Sequence, residues 1–164
     1  MSERKDELRR HLEKRHAETW PFLQGLTESD MPVEVYSSED ATWTVKDLLG
    51  HLVDGERGNL GQAKRLVAGE QTVPEDFDLD RWNRGAVRRA AKASPVDHLA
   101  VIAESYSKAL NFLETLSEND LEKVGRHSSG EMMTTEEFLR RMVNHRLEHV
   151  TDIRSALNSG KSLD

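Results

Sequence analysis

The sequence predicts an all-α protein that forms one four-helix bundle, a single domain over residues 1–164. Four long segments carry apolar residues at helical spacing, the pattern of helices that bury one face. The composition agrees, because 36% of the residues are hydrophobic, 32% are charged and only 5% are aromatic. In addition, residues 22–31 resemble residues 112–121, which indicates two related halves. A chain of this length can bury a core of its own.

The first two predicted helices cover approximately residues 3–26 and 44–67. Pro21 lies inside the first, where we expect a kink or an early end because proline lacks the backbone N–H that a helix needs. The second begins after Thr44, which forms the pattern of a capping box with Asp47. A capping box satisfies backbone N–H groups at a helix start, so this boundary is well defined.

The third and fourth predicted helices cover approximately residues 95–116 and 135–158. Ser94 is the expected N-cap of the third, and it is followed by a proline, which suits the first helical position. A second capping box, Thr134 with Glu137, opens the fourth helix.

A long connection, residues 68–93, joins the second and third helices. A connection of this length can cross the bundle, so an up-down-down-up order is available. It contains a short helical stretch in which Trp82 either closes a site or anchors the segment to the bundle, and we favour the anchor. The stretch is basic and carries four arginines: Arg81, Arg84, Arg88 and Arg89. They form either a solvated face, which we favour, or a recognition surface for carboxylate or phosphate.

An internal repeat relates the two halves of the chain. Residues 22–31 and 112–121 share five identities in ten positions at an offset of 90, and Thr44 then aligns with Thr134. Two matched helix–loop–helix units predict a bundle with pseudo-twofold symmetry. The alternative is that helix ends converge on the same capping chemistry; the ungapped match favours a true repeat.

Three of the seven histidines are candidate metal ligands: His51, His145 and His149. Spacing of i, i+4 puts His145 and His149 on one helix face, with Cβ atoms about 5–6 Å apart. A third imidazole from another helix would leave a coordination position open, as in catalytic metal sites. Asp152, further along the same edge, could accept a hydrogen bond from a second ring nitrogen. Histidines at this spacing are also common without a metal.

These histidines do not follow the repeat. At the offset of 90, His51 aligns with Arg141, and His145 aligns with Gly55. Any site that the histidines form is therefore asymmetric and added to a symmetric scaffold.

Glu56 falls near the middle of the apolar stripe of the second helix. A buried carboxylate needs a cation, a metal ion or a raised pKa. Glu56 is therefore our candidate catalytic residue, as a general base or an outer partner of the metal site. The alternative is a salt bridge with an arginine from a neighbouring helix.

Other features limit the function and location. The chain has no cysteine, so it has no disulfide, thiolate ligand or cysteine nucleophile. A net charge of −7 opposes nucleic-acid binding. No run of 18 apolar residues and no secretory signal are seen, so we expect no membrane partner and a cytoplasmic location.

Together, three motifs resemble those of the DinB-like (DinB/YfiT-like) four-helix-bundle metalloenzyme superfamily. They are WTVKDLLGHL at 43–52, DFDLDRWN at 76–83 and NHRLEHVTDI at 144–153. The likeness extends over residues 20–157, and the order and spacing of the motifs are more specific than any one of them.

The resemblance implies an up-down-down-up bundle and a divalent metal ion bound by His51, His145 and His149. Zn²⁺ or Ni²⁺ is the expected ion, with Fe²⁺ or Mn²⁺ as alternatives, because imidazole suits several metals. Members of the superfamily include thiol-dependent enzymes, namely mycothiol-dependent maleylpyruvate isomerase and bacillithiol S-transferases. A low-molecular-weight thiol is therefore a second candidate cofactor.

Three neutral ligands leave a divalent ion its full charge, which can lower the pKa of a water towards about 7 or hold a thiol as thiolate. We therefore expect a metal-dependent hydrolase or thiol S-transferase that acts on a small molecule. The alternatives are a non-catalytic protein that sequesters a small molecule in the same cleft and a scaffold with vestigial histidines. A homodimer is a further expectation for a bundle of this type.

Overall fold

The computed structural model describes residues 2–38 and 41–162, with the side chains of residues 161 and 162 left out. The predicted domain limits, residues 1 and 164, lie outside this part. Within it the chain forms six α-helices: α1 Glu3–Gln24, α2 Val45–Val67, α3 Leu79–Ala90, α4 Pro95–Thr115, α5 Glu118–Glu122 and α6 Thr135–Ser162. The long helices α1, α2, α4 and α6 form the predicted four-helix bundle, and α3 is the short helix expected in the crossover. No helix in the described part is both long and apolar enough to span a bilayer.

Two helix ends differ from the predictions. The first helix ends at Gln24, just after Pro21, whose carbonyl accepts a hydrogen bond from the Gly25 N–H at 3.1 Å. A proline this close to the end of a helix destabilises the helix little. The helix therefore ends only two residues before the predicted end at residue 26. The last helix continues to Ser162, because Gly160 does not adopt the positive φ with which glycine often ends a helix.

Two short β-hairpins were not predicted. One pairs β1 Glu34–Ser37 with β2 Thr42–Thr44, and the other pairs β3 Val124–Arg126 with β4 Met132–Thr134. Both are antiparallel, and each leads directly into a long helix. Strands of three or four residues are too short for alternating burial to be visible in the sequence.

The hairpins confirm the internal repeat. The N–H of Val45 donates to the carbonyl of Val33, and the N–H of Thr135 donates to the carbonyl of Lys123. Both residues of the second bond follow those of the first by 90 positions. The first strand pair of each hairpin is equivalent as well, Glu34 with Thr44 and Val124 with Thr134, but beyond it the register differs because the first hairpin has a bulge between Glu34 and Tyr36.

The order of the helices around the bundle is α1, α6, α2 and α4, so helices joined by a hairpin lie diagonally. Helices α1 and α6 run parallel, whereas α1 is antiparallel to α4 and α2 is antiparallel to α6. These directions confirm the up-down-down-up arrangement. Six contacts give these directions: Arg4 with Glu136, His11 with Asn144, Arg9 with Glu114, His16 with Tyr106, His51 with His149 and Gly55 with His145.

The core fills the space between the four long helices with leucine and other apolar side chains. Burying each such side chain is worth roughly 1.5–3 kcal/mol. Representative fully buried residues are Leu8, Leu12, Leu23, Leu48, Leu49, Leu113, Phe138, Leu139 and Ile153. This core fixes α2 against α6, the two helices that carry the candidate histidines.

Candidate metal centre

The structure brings the three candidate histidines together between α2 and α6. The Nε2 atom of His145 lies 3.1 Å from Nε2 of His51 and 2.9 Å from Nε2 of His149. One ring nitrogen from each residue lies within 4.8 Å of the other two. The later part of α6 runs beside the start of α2, which is why residues 94 and 98 positions apart meet.

All three imidazoles are neutral at neutral pH. Burial lowers the pKa of His51 to about 4, and the neighbouring His149 contributes to this shift. Burial also lowers the pKa of His145 and of His149. Neutral imidazole is the form that binds a metal ion, because protonation removes the lone pair that coordinates.

The donor set and its spacing fit a divalent cation. Two nitrogens that each lie about 2.0–2.1 Å from one tetrahedral ion are about 3.3 Å apart. The Nε2 separations from His145, 3.1 and 2.9 Å, are close to that value. Three protein ligands would leave the fourth position open to water or substrate, as catalytic zinc sites do.

Tyr36, on β1, supports His149 from behind. Its hydroxyl lies 3.0 Å from Nδ1 of His149 and donates a hydrogen bond to the carboxylate of Asp152. Burial raises the pKa of Tyr36, and the hydrogen bond to Asp152 raises it further. The hydroxyl proton of Tyr36 therefore stays in the bond to Asp152. The phenol oxygen then accepts from Nδ1–H, which leaves the Nε2 lone pair of His149 facing the other histidines. Asp152 thus acts through Tyr36 rather than by the direct contact that we expected.

The first hairpin also supports His51. The ring of Trp43, on β2, meets the His51 imidazole edge to face, with ring centroids 5.2 Å apart. Tyr36 on one strand and Trp43 on the other therefore fix two of the three histidines. The hairpin that the sequence did not predict positions the candidate site.

A cleft of about 500 Å³ opens beside the histidines and runs along α2. Its walls come from α2, residues 72–77 of the crossover, α3, the turn at residues 127–129 and α6. Apolar side chains dominate the crossover wall: Val73, Pro74, Phe77, Leu79 and Trp82. The cleft is large enough for a small organic molecule, and His51 and His145 lie at its surface.

Trp82 belongs to this cleft, so the prediction that it anchors α3 to the bundle is wrong. Its side chain is 48% exposed, and Arg89 lies over its ring, 4.7 Å from the centroid. Arg89 also pairs with Asp54, a cleft residue, at 3.2 Å. Arg81, Arg84 and Arg88 are not among the residues that line the cleft.

His127 is a cleft residue that sequence reasoning missed. It is buried, its Nδ1 accepts from the Ser129 N–H at 3.1 Å, and its Nε2 donates to Oδ1 of Asn59 at 3.1 Å. Burial lowers the pKa of His127, so it too is neutral. Its partner Asn59 is 68 positions away, and no local pattern marks the pair.

Glu56 takes part in the buried salt bridge that was the alternative to a catalytic role. It accepts two hydrogen bonds from the guanidinium of Arg146 on α6, and both side chains are 0% exposed. Arg146 also donates to Nδ1 of His16 on α1 at 2.7 Å. Glu56 is not among the residues that line the cleft.

Comparisons with known proteins agree with this fold. The family model described as the DinB superfamily matches residues 6–153. Among curated proteins, the chain is 23% identical over 155 residues to YfiT of Bacillus subtilis (strain 168), with 92% of this chain and 84% of YfiT covered.

Two solved structures are similar in fold. YfiT from Bacillus subtilis, described as a probable metal-dependent hydrolase with an unusual four-helix bundle topology, matches with a TM-score of 0.77 and 22% identity. That match covers 98% of this chain and 90% of YfiT. The mycothiol-dependent maleylpyruvate isomerase matches with a TM-score of 0.74 and 13% identity. It covers 91% of this chain but 60% of the isomerase, so the two proteins share one part of the longer one.

Proposed function

The chain belongs to the DinB superfamily, and we propose that it is a divalent-metal-dependent hydrolase acting on a small molecule. We propose His51, His145 and His149 as the metal ligands. The observation that carries this proposal is the convergence of three neutral imidazole nitrogens beside a cleft of about 500 Å³. The relative YfiT, described as a probable metal-dependent hydrolase, supports the same class of activity.

Zn²⁺ or Ni²⁺ is the ion we propose first, with Fe²⁺ or Mn²⁺ as alternatives, because imidazole ligands suit all of them. Such an ion supplies Lewis acidity and lowers the pKa of water to about 7. The protein's own part is positional: Tyr36 orients His149, Trp43 packs on His51, and the apolar cleft wall excludes bulk water from the substrate.

For Glu56 we propose a structural role in place of the catalytic one. Its carboxylate is held by Arg146 inside the bundle, so it has no path to a substrate in the cleft. Of the described residues that line the cleft, Asp54 carries the one carboxylate. We therefore propose Asp54 as the proton acceptor.

The test is metal-dependent turnover. Protein purified without a nickel column, stripped with a chelator and reloaded with Zn²⁺, Ni²⁺, Fe²⁺ or Mn²⁺ is assayed on chromogenic esters, amides and phosphoesters. Hydrolysis by the loaded protein, lost in His145→Ala and kept in His11→Ala, is the expected result. His11 is a suitable control because it bonds to Asn144 away from the cleft. Equal activity with and without metal, or none on the whole panel, would contradict the proposal.

Thiol transfer is the second candidate, supported by the fold shared with the mycothiol-dependent isomerase. The same loaded protein is incubated with bacillithiol, mycothiol or glutathione and the electrophile monochlorobimane. Metal-dependent conjugation with no hydrolysis of the ester panel would replace the hydrolase by an S-transferase. Binding of a thiol without turnover would support the third alternative, a non-catalytic protein that sequesters a small molecule.

We also propose a homodimer and a cytoplasmic location, the two further expectations from the sequence. Sedimentation equilibrium measures the first: a mass of about twice the 18.7 kDa chain is expected, and a concentration-independent monomer would contradict it. Fractionation of the native cell tests the second.

A further inference from the structure

Arg141 is a charged residue that lines the cleft beside the histidine centre. It precedes His145 on α6 by four residues, which places the two Cβ atoms about 5–6 Å apart on one helix face. Arg141 therefore lies beside one histidine of the centre and in the wall of the cleft.

The guanidinium of Arg141 is available to a ligand. Among the described residues its one ion pair is with Glu148, through a single Nη1 contact at 3.2 Å. The side chains are 35% and 59% exposed, and ion pairs this open to water are worth little. A ligand carboxylate can form two parallel hydrogen bonds with the guanidinium fork, which makes it a strong competitor for Glu148.

The charges around the cleft favour one negative charge on the ligand. Arg65 and Arg141 line it, and Asp54 opposes them near His51 while paired with Arg89. The chain as a whole has a net charge of −7. The two arginines that face the cleft are a local exception to this negative charge, and they attract an anion to the cleft. A doubly charged phosphate would meet the repulsion of Asp54 more strongly than a carboxylate.

The rest of the cleft describes the body of such a ligand. The crossover wall is apolar, with Val73, Phe77 and Trp82 facing the cavity. In the same cleft, Oε1 of Gln62 is buried and has no hydrogen-bond partner among the described residues. A hydroxyl or amide N–H on the ligand would satisfy that acceptor.

We propose that the cleft binds a small molecule with one carboxylate and an apolar body, and that Arg141 pairs with the carboxylate. The inference rests on the proposed function in taking this cleft as the substrate site, and it adds the chemical class of the substrate. Arg141 is then a specificity-determining residue, which selects carboxylates next to the reacting bond.

The test is binding to metal-free protein, measured by NMR titration with matched probes. The probes are 3-phenylpropionate, its neutral amide 3-phenylpropanamide and 3-phenylpropyl phosphate. We expect the carboxylate to bind about tenfold more tightly than the amide, the usual effect of a hydrogen-bonded charge. The Nε–H resonance of Arg141 should shift with the carboxylate and not with the amide.

Three variants distinguish recognition of the carboxylate by Arg141 from a general effect of the protein's charge. Arg141→Gln should abolish the preference for the carboxylate. Glu148→Gln should strengthen it, because it removes the competing anion. Arg154→Gln is the control, since Arg154 lies on the same helix but covers the ring of Phe22, 4.8 Å from its centroid.

Four results would each overturn the inference. The first two are equal binding of carboxylate and amide, and no binding of either at millimolar concentration. The other two are a carboxylate preference retained in Arg141→Gln, and tighter binding of the phosphate than of the carboxylate. Because the protein is metal-free, the result does not depend on metal binding. If the protein prefers the carboxylate but retains no metal when it is reloaded, the proposed function is rejected and this inference stands. If it shows metal-dependent turnover but no preference for the carboxylate, this inference is rejected and the proposed function stands.

Discussion

The imidazole of His145 lies directly against Gly55 on the neighbouring helix. A Cβ at position 55 would come within 3.2 Å of both Cε1 and Nδ1 of the His145 ring. Gly58, three residues further along α2, also lines the cleft, but a Cβ there would meet nothing within 4 Å. The position of His145 therefore depends on the absence of a side chain at 55.

Gly55→Ala should weaken metal binding, because the new methyl group displaces the ring of His145 by a few tenths of an ångström. We expect a loss of roughly tenfold, as when the support of a ligating histidine is disturbed. Isothermal titration with Zn²⁺ measures it. Gly58→Ala is the matched control: it should stabilise α2 by up to about 1 kcal/mol and leave the affinity unchanged. Equal affinities in the two variants would show that the ring tolerates the methyl group.

Tyr36→Phe should also weaken metal binding, by about 10- to 100-fold, because it removes the hydroxyl between His149 and Asp152. The affinity is measured by competition with a chromogenic chelator. Tyr106→Phe serves as the control, since Tyr106 stacks on His16 away from the centre. An affinity for Tyr36→Phe within twofold of the wild type would argue against a role for the tyrosine in orienting His149.

Glu56→Gln should destabilise the fold by about 3–5 kcal/mol, because it leaves the guanidinium of Arg146 buried without a counter-charge. Urea unfolding measures the change in free energy. The double variant Glu56→Leu/Arg146→Met, which removes both charges, should lie closer to the wild type than Glu56→Gln does. A normal unfolding free energy combined with lost turnover would instead support the catalytic role first expected for Glu56.

His16 should make the metal-free protein sensitive to acid. Burial, and then the charge of Arg146, lower its pKa to about 4, whereas the unfolded residue titrates near its usual value of 6.5. The unfolded chain therefore takes up the proton first. The stabilisation is complete above pH 6.5 and is lost as the pH falls towards about 4.

In the experiment, the urea midpoint of His16→Gln should fall less steeply than that of the wild type between about pH 7 and about pH 4.5. Other histidines with lowered pKa values act in the same direction in both proteins, and Glu56, whose pKa is raised by burial, acts in the opposite direction. The effects of residues that contact neither His16 nor Arg146 cancel in the difference between the two curves. Parallel curves would contradict a lowered pKa for His16.

The sequence was sufficient for the bundle because helical periodicity and capping are local signals. The internal repeat with its offset of 90 residues also holds for backbone hydrogen bonds, as the equivalent bonds of Val45 and Thr135 show. It also explains part of the site. Gly55 and His145 are equivalent positions in the repeat, yet they touch, so they lie near the pseudo-twofold axis, where a large ring needs a small partner.

The supports of the site could not be predicted in the same way. Tyr36 and Trp43 lie on strands of three or four residues, and Tyr36 meets His149 across 113 positions of sequence. Trp82 was assigned to the bundle because a large aromatic side chain is usually buried, but α3 sits at the rim of the cleft and leaves it half exposed. Such contacts depend on how the crossover packs, which no local pattern records.

The central claim is that three histidines hold one divalent ion, and X-ray absorption at the zinc edge tests it most directly. Protein purified without a nickel column, stripped and reloaded with one equivalent of Zn²⁺, should show three imidazole nitrogens at about 2.0–2.1 Å and one further light atom. His149→Ala should show one imidazole fewer. Zinc lost on gel filtration, or a wild-type spectrum with fewer than three imidazoles, would contradict the claim.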